Sequence, residues 1–454
     1  MSKITKLRSE MDSITLQMIK LFKDRMEMSK RIGEIKNNFG IEITDEVREE
    51  KLRNKVISLC EKIHLNKSIG SKFLNYLLYE SIKIQNNNKQ NTSIFIRAKE
   101  LESRGKNIIH MEVGEPDFQP PIIIKQALSE IYDSEYTKYM QAEGIVELRS
   151  AIARKFSTQH NCVKKDNVII CPGARFAIYL IMATILNNED EIIIIDPSWS
   201  AYKDFAFNFG IKTRIVKTTM ENNWNPDPNE LKKLINTNTK MIVLNYPNNP
   251  TGKILPIQIQ NKIIKIAIRN NLYILSDEIY SNYAYFKWKS IISYEYEKSI
   301  IVQSFSKSHS MTGFRIGYVI ASLDIISKIK RLQALCLTNV STPIQYAALK
   351  ALSSDVSNNS KIIKSRLNLI SKQAKLMHLN FMKPNGAMYI FIKLPTSITD
   401  STVFSNKLLD SGLAVSPGTA FGNYKNFIRI SVCCTNKQLI EGMNILNKVL
   451  DSES

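Results

Sequence analysis

Near the start of the chain, apolar residues recur four and three positions apart: Leu7, Met11, Ile14, Met18, Leu21, then Met28, Ile32 and Ile35. This is the seam of a long amphipathic helix of coiled-coil character. It runs from about residue 4 to the stop at Asn37-Asn38-Phe39-Gly40, roughly 50 Å at 1.5 Å per residue. A compact 90-residue monomer is only about 30 Å across, so the helix is expected to pack against a second copy of the chain. Arg25 fills the one gap in the seam, and Lys36 falls within about 20° of the same face. A second helix is predicted from an N-cap at Thr44 followed by Asp45 and Glu46. Its seam of Leu52, Val56, Leu59 and Ile63 extends backward onto Glu49 and Asp45. A third helix carries Leu74, Leu77 and Leu78 and continues onto Ser81 and Gln85. Three helices thus turn polar groups inward, which is how bundles build sites.

The pattern changes at the polar stretch Gln85-Asn86-Asn87-Asn88-Lys89-Gln90-Asn91-Thr92-Ser93, which has no apolar residue and no period and reads as a linker. Residues 1–84 contain no proline; beyond the linker, short Ile/Val-rich runs alternate with helical segments and Pro/Gly loops. That alternation predicts an α/β architecture. The expected organisation is an all-α domain over residues 1–85, a linker over 86–93, and an α/β domain over 94–454.

Composition sharpens this picture only in places. The 454 residues include 46 Lys and 16 Arg against 42 Asp+Glu, a net charge of +20, which calls for anions without saying which. Much of a lysine excess can be solvated surface, so the scarcer arginines carry more information, because a guanidinium fork binds carboxylates and phosphates as an ammonium cannot. Six cysteines without a Cys-x-x-Cys pair or a His partner at metal spacing point to a reducing compartment and to no metal site. With neither a signal-peptide core nor an apolar run of about 20 residues, the expectation is a soluble cytoplasmic protein that does not enter a membrane.

The residues gathered on the three helices resemble the all-helical chorismate mutase family. That family's site comprises two carboxylate-binding arginines, a lysine, an Asp-x-x-Arg-Glu run and a Ser-x-x-x-Gln pair. Here these are Arg8, Arg25, Lys36, Asp45-Glu46-Val47-Arg48-Glu49 and Ser81-Ile82-Lys83-Ile84-Gln85. The resemblance implies a three-helix intertwined dimer that rearranges chorismate to prephenate. Arg8, donated by the partner subunit, and Arg25 would hold the two carboxylates, Lys36 and Gln85 the ether oxygen and Glu49 the ring hydroxyl, with Arg48, Asp45 and Ser81 in support. A pericyclic rearrangement needs no nucleophile, only a held conformer and charge stabilisation.

In the second part, Ser304-Phe305-Ser306-Lys307-Ser308-His309-Ser310-Met311-Thr312-Gly313-Phe314-Arg315 follows the strand-like Ile300-Ile301-Val302. A lysine so placed between serines and eight residues before an arginine resembles the cofactor site of class I aminotransferases, pyridoxal-phosphate enzymes of fold type I with a large and a small lobe. The resemblance implies that Lys307 bonds the cofactor and later carries the substrate α-proton. Ser304, Ser306, Arg315 and the backbone amides of Gly173 and Ala174 would hold the phosphate. Asp277 would pair with the pyridinium nitrogen, Tyr280 and Asn249 would bond the ring oxygen, and Trp199 would stack on the ring. Tyr139 would reach the neighbouring subunit's phosphate, Gly114 would sit at the entrance, and Arg429 would clamp the substrate α-carboxylate. Arg175, in Cys171-Pro172-Gly173-Ala174-Arg175, would meet a second substrate carboxylate.

Prephenate carries a 2-keto acid and a second carboxylate, so the favoured expectation is sequential action: chorismate to prephenate, then prephenate to arogenate with glutamate or aspartate as donor. The alternatives are transamination of phenylpyruvate, 4-hydroxyphenylpyruvate or oxaloacetate. A further alternative, a transcription regulator with an aminotransferase fold, needs a short helix-turn-helix and a β wing. The long first helix and the absence of any strand pattern before residue 85 argue against it and against nucleic acid as a partner.

Overall fold

The computed structural model describes residues 2–38, 45–86, 93–131, 135–157 and 162–453. The chain divides into two compact units, Met1–Ser93 and Ile94–Ser454.

The first unit consists of α1 (Ser2–Asn38), α2 (Glu46–Lys62) and α3 (Lys67–Asn86). At 37 residues, α1 is about 55 Å long. The cap of α2 is Asp45, whose carboxylate accepts the Arg48 N–H at 3.0 Å; Thr44, the expected cap, lies outside the described residues. The expected seam of α2 is also corrected. Leu59 and Ile63 are exposed and Cys60 is buried instead, because α3 brings Gly70 against it: a Cβ on Gly70 would lie 2.3 Å from Cys60 Sγ. On α1 there are two stripes rather than one. Met26 and Ser29 are buried and Phe22 stacks on Tyr76 of α3, so the face holding Arg25 packs within the chain. The predicted seam residues Leu7, Met11, Ile14, Met18 and Leu21 remain exposed, Leu7 at 59 %.

In the second unit the strands are β1 (Ile109–His110), β2 (Val168–Cys171), β3 (Glu191–Asp196), β4 (Lys212–Lys217), β5 (Thr239–Asn245), β6 (Tyr273–Asp277), β7 (Ser299–Ser304), β8 (Gly317–Ile320), β9 (Asn380–Phe381), β10 (Tyr389–Lys393), β11 (Leu413–Ala414), β12 (Ser416–Pro417) and β13 (Phe427–Ser431). Seven of them form a sheet of order β2-β8-β7-β6-β5-β3-β4. Its pairings are parallel except those of β8, which runs antiparallel to β2 and β7. Strands β2, β3 and β7 are buried throughout, as a sheet covered on both faces requires and as continuous Ile/Val runs supply. The carboxyl ends of β5, β6 and β7 are Asn245, Asp277 and Ser304, the edge where open α/β sheets build their sites.

A smaller antiparallel sheet, β12-β13-β10-β9, packs on helices Ser357–Leu376 and Asn436–Asp451 through Ile363, Leu367, Leu439 and Met443. It places Arg429 mid-strand, opposite Phe391 on one side and Ser416 on the other. The large and small lobes are therefore those the resemblance implies.

Candidate active sites

In the helical unit, α1 and α3 bring Arg25, Ser29, Ser81 and Gln85 together. The Arg25 guanidinium donates to Leu77 O at 2.8 Å and to Ser81 Oγ, and Ser29 Oγ lies 3.1 Å from Ser81 Oγ. Ser29 was not anticipated, although it follows Arg25 by one helical turn, the spacing that shares a face. Gln85, expected beside a linker, lies inside α3 and is buried; its Oε1 has no partner. Gly33 makes the approach possible, since a Cβ there would stand 2.8 Å from Gln85 Cα. Burial lowers the proton affinity of Arg25, and the nearby charge of Arg48 lowers it further. The two guanidiniums thus repel one another, an arrangement suited to an anion, whereas the unpaired Gln85 Oε1 asks for a hydrogen-bond donor. Lys36 and Glu49 are half-buried, and Asp45 and Arg48 are exposed on the first turn of α2. Arg8 is exposed and 17 residues before Arg25 on one continuous helix, about 25 Å away along its axis. No single chain can bring the two arginines to one small dianion.

In the α/β unit the strand ends converge. Asp277 is buried; it accepts Tyr202 Oη–H at 2.5 Å and the Ile279 N–H at 3.3 Å. Burial nevertheless pushes its carboxyl up to about 6. Asn245, paired in register with Asp277, donates to Asp277 O at 3.1 Å and accepts the Asn249 N–H at 3.0 Å. Tyr202 and Asn245 were both missed. Tyr202 follows Trp199 by three residues, and Asn245 is a polar end to an apolar run, the same signal that marked Asp277.

Lys307 stands on the one-turn helix Phe305–Ser308 and donates to Gly114 O at 2.6 Å. Burial chiefly lowers its pKa, with Arg429 and Arg315 contributing. Ser304 caps this helix by accepting the Ser306 N–H at 3.1 Å, and its hydroxyl lies 2.9 Å from that of Ser306. Arg315 is held at φ 52°, a left-handed conformation uncommon for a side chain of this kind. That conformation lays its guanidinium against Gly173, where a Cβ would stand 2.6 Å from Nη2. The Gly173 N–H is engaged by Cys171 O at 2.7 Å, contrary to its expected role as a free anion donor. Ala174 opens the following helix, Ala174–Ile185, and helix N-termini offer such donors.

Arg429 is buried; it donates to Asn249 Oδ1 at 2.8 Å, to Ser416 Oγ at 3.0 Å and to Glu112 O. Its Nε has no partner. Tyr389 covers this guanidinium at 4.4 Å, and its hydroxyl lies 2.7 Å from that of Tyr280. Trp199 is half-buried, edge-on to Tyr202, with the exposed Arg175 guanidinium 5.0 Å over its ring. Tyr139 is 86 % exposed.

This donor set fits pyridoxal phosphate. A lysine of lowered pKa, a buried carboxylate without a cationic partner among its hydrogen bonds, and a cradle of Ser304, Ser306, Arg315 and the Ala174 turn match its aldehyde, pyridine nitrogen and phosphate. The buried carboxylate also costs stability. In cofactor-free protein Asp277 binds its proton up to about pH 6, while an unfolded chain releases it near 3.8. Stability from this group is present below 3.8 and is lost as pH rises through 6, by about 3 kcal/mol. Apo Asp277→Asn should therefore melt higher than the apo wild type at pH 8, with the gap closing near pH 4. Thermal melts that coincide at both pH values would contradict this.

Both parts of the chain match known families. Residues 106–446 match the family Aminotransferase class I and II, and residues 7–86 match Chorismate mutase type II. Aspartate aminotransferase of Pyrococcus horikoshii is 37% identical over 79% of this chain and 94% of its own length. A probable aspartate/prephenate aminotransferase of Aquifex aeolicus is 33% identical over 79% of the chain and 95% of its own. The crystal structure of aspartate aminotransferase from Thermotoga maritima superposes with a TM-score of 0.76 at 31% identity, covering 79% of this chain and 96% of that one. The chain therefore belongs to the pyridoxal-phosphate-dependent class I and II aminotransferases and carries a chorismate mutase type II domain ahead of that fold, joining an isomerase to a transferase.

Proposed function

We propose that this bifunctional enzyme of aromatic amino acid biosynthesis converts chorismate to prephenate and then transaminates prephenate to arogenate. The observation that carries the second step is the Arg175 guanidinium over Trp199, a second fork beside the site that also holds Arg429. A 2-keto acid with a distal carboxylate, which prephenate is, engages both; a monocarboxylate such as phenylpyruvate engages one. The relative from Aquifex aeolicus, whose printed name includes prephenate, supports the same reading.

In the mutase site, Arg25 and a second copy's Arg8 hold the two carboxylates. Lys36 and Gln85 donate to the ether oxygen as charge develops there, Gln85 through its amide N–H. Glu49 accepts the ring hydroxyl, while Arg48, Asp45 and Ser81 hold these groups in place. In the aminotransferase site, the bound cofactor supplies an electron sink that acidifies the substrate α-carbon. Asp277, ionised, holds the ring nitrogen's proton, with Tyr202 fixing the carboxylate. Arg429 takes the α-carboxylate as a bidentate fork in place of its bonds to Asn249 and Ser416. Lys307, its ammonium destabilised by burial, removes and returns the α-proton. Tyr280 and Asn249 bond the ring oxygen, Trp199 covers the ring, and Gly114 leaves the entrance open. Tyr139, exposed in one chain, reaches the phosphate of a second. Both sites thus call for a homodimer, and the exposed seam of α1 supports one.

Three outcomes test this reading. Purified protein given chorismate and glutamate or aspartate should form arogenate; prephenate that accumulates untouched rejects the second step. Arg175→Gln should lower kcat/KM for prephenate by roughly 10- to 100-fold, the scale of one charged hydrogen-bonded contact, and that for phenylpyruvate far less; equal losses refute the assignment. Arg8→Ala and Arg25→Ala should each abolish mutase activity. Refolded together, they should recover about a quarter of it, since half of random dimers then hold one intact site; no recovery means that the two arginines do not come from different chains.

A further inference from the structure

Tyr389 touches three groups to which the proposed chemistry assigns separate tasks. Its hydroxyl lies 2.7 Å from Tyr280 Oη, and the two rings meet edge to face at 5.5 Å. Its ring faces the Arg429 guanidinium at 4.4 Å. It also fills the space beside Gly114, where a Cβ would fall 1.8 Å from Tyr389 Oη, and Gly114 O is the acceptor of Lys307. Both tyrosines are buried, so water is a poor substitute for either partner.

Burial raises both phenols, and the nearby charge of Arg429 draws both back. Either hydroxyl can donate the bond they share, but each has only one hydrogen. When Tyr280 gives its own to the ring oxygen, the bond between the two must be donated by Tyr389 to Tyr280 Oη. Position alone explains why this residue went unnoticed in the sequence: Tyr389 lies in the small lobe on β10, 109 residues from Tyr280, within an apolar strand.

We propose that Tyr389 is a positioning residue of the aminotransferase site, its hydroxyl aiming the Tyr280 hydrogen at the cofactor's ring oxygen while its ring holds the Arg429 fork flat for the substrate carboxylate. This rests on the assignment of Tyr280 to the ring oxygen. A donor to that oxygen competes with the hydrogen on the neighbouring lysine-derived nitrogen, so weakening Tyr280 as a donor raises the proton affinity of that nitrogen.

The test is a pH titration of the visible absorbance of the holoenzyme, with maleate as a non-reacting carboxylate probe. Tyr389→Phe keeps the ring and removes the hydroxyl. Its absorbance midpoint should rise by about 0.5 to 1 pH unit, the size of one neutral hydrogen bond, while the maleate Kd stays within about twofold. Tyr389→Leu removes the ring as well and should weaken maleate binding by roughly 10-fold, the scale of a desolvated cation–π contact. The other charged or titratable groups that act on Tyr389, namely Arg429, Cys433 and Asp277, are unchanged in both variants. An unmoved midpoint in Tyr389→Phe, or maleate binding lost equally in both variants, overturns the proposal. Tyr280→Phe separates the two causes. If its midpoint rises while that of Tyr389→Phe does not, Tyr389 has no such role; if neither moves, the assignment of Tyr280 itself fails.

Discussion

Asn245, Asp277 and Ser304 end three neighbouring parallel strands, and the hydrogen-bond register that pairs Asn245 with Asp277 puts their side chains on one rim. In a strand, a slip of one residue turns every side chain to the other face. Such a slip in β6 would point Asp277 into the packed helices and leave Ser276 at the site. The register is held by continuous burial of Ile274 and Leu275 against Ile242, Val243 and Ile300. From this rim the remaining geometry follows: Asn245 fixes Asn249, Asn249 meets Arg429, and Ser304 caps the turn that carries Lys307.

The same rim is an electrostatic compromise. A buried carboxyl, a half-buried ammonium and a buried guanidinium lie close together, and each is perturbed or left with an unpaired atom: Asp277 upward, Lys307 downward, Arg429 with an orphan Nε. Burial of charge is costly unless it is paired. Here the partners among the protein's own groups are incomplete, as befits a family that binds pyridoxal phosphate. Perturbed groups of this kind mark sites built for reaction rather than for stability.

The helical unit meets a different constraint, that of length. A straight helix of 37 residues presents two stripes, one covered by α3 and one exposed in the single chain. Arg8 and Arg25 are separated by about 25 Å along it, so one small ligand cannot meet both in a single chain. The net charge of +20 is compatible with small anions: Arg25, Arg315 and Arg429 all face built sites, whereas most lysines lie at the surface.

Periodicity was enough to read three helices and an α/β domain, because burial of one face imposes a repeat of 3.6 or 2 on any chain; the expected linker falls mostly outside the described residues. Local motifs were enough to propose Lys307, Asp277, Asn249 and Arg315, because a strand end or tight turn confines a functional group and its neighbours to a few consecutive residues. Which stripe of α1 faces its own chain was not legible, since both stripes obey the same period; nor was the exchange of Leu59 for Cys60, which depends on a glycine ten residues further on. Tyr202 and Tyr389 were equally hidden. Each makes a hydrogen bond to a residue 75 or 109 positions away, and no local pattern encodes a contact at such separation. The sequence by itself thus determined the helical and α/β parts and the two chemistries, because these are written in local period and local motifs. Tertiary structure alone decided which buried side chains meet, because that depends on distance after packing and not on separation along the chain.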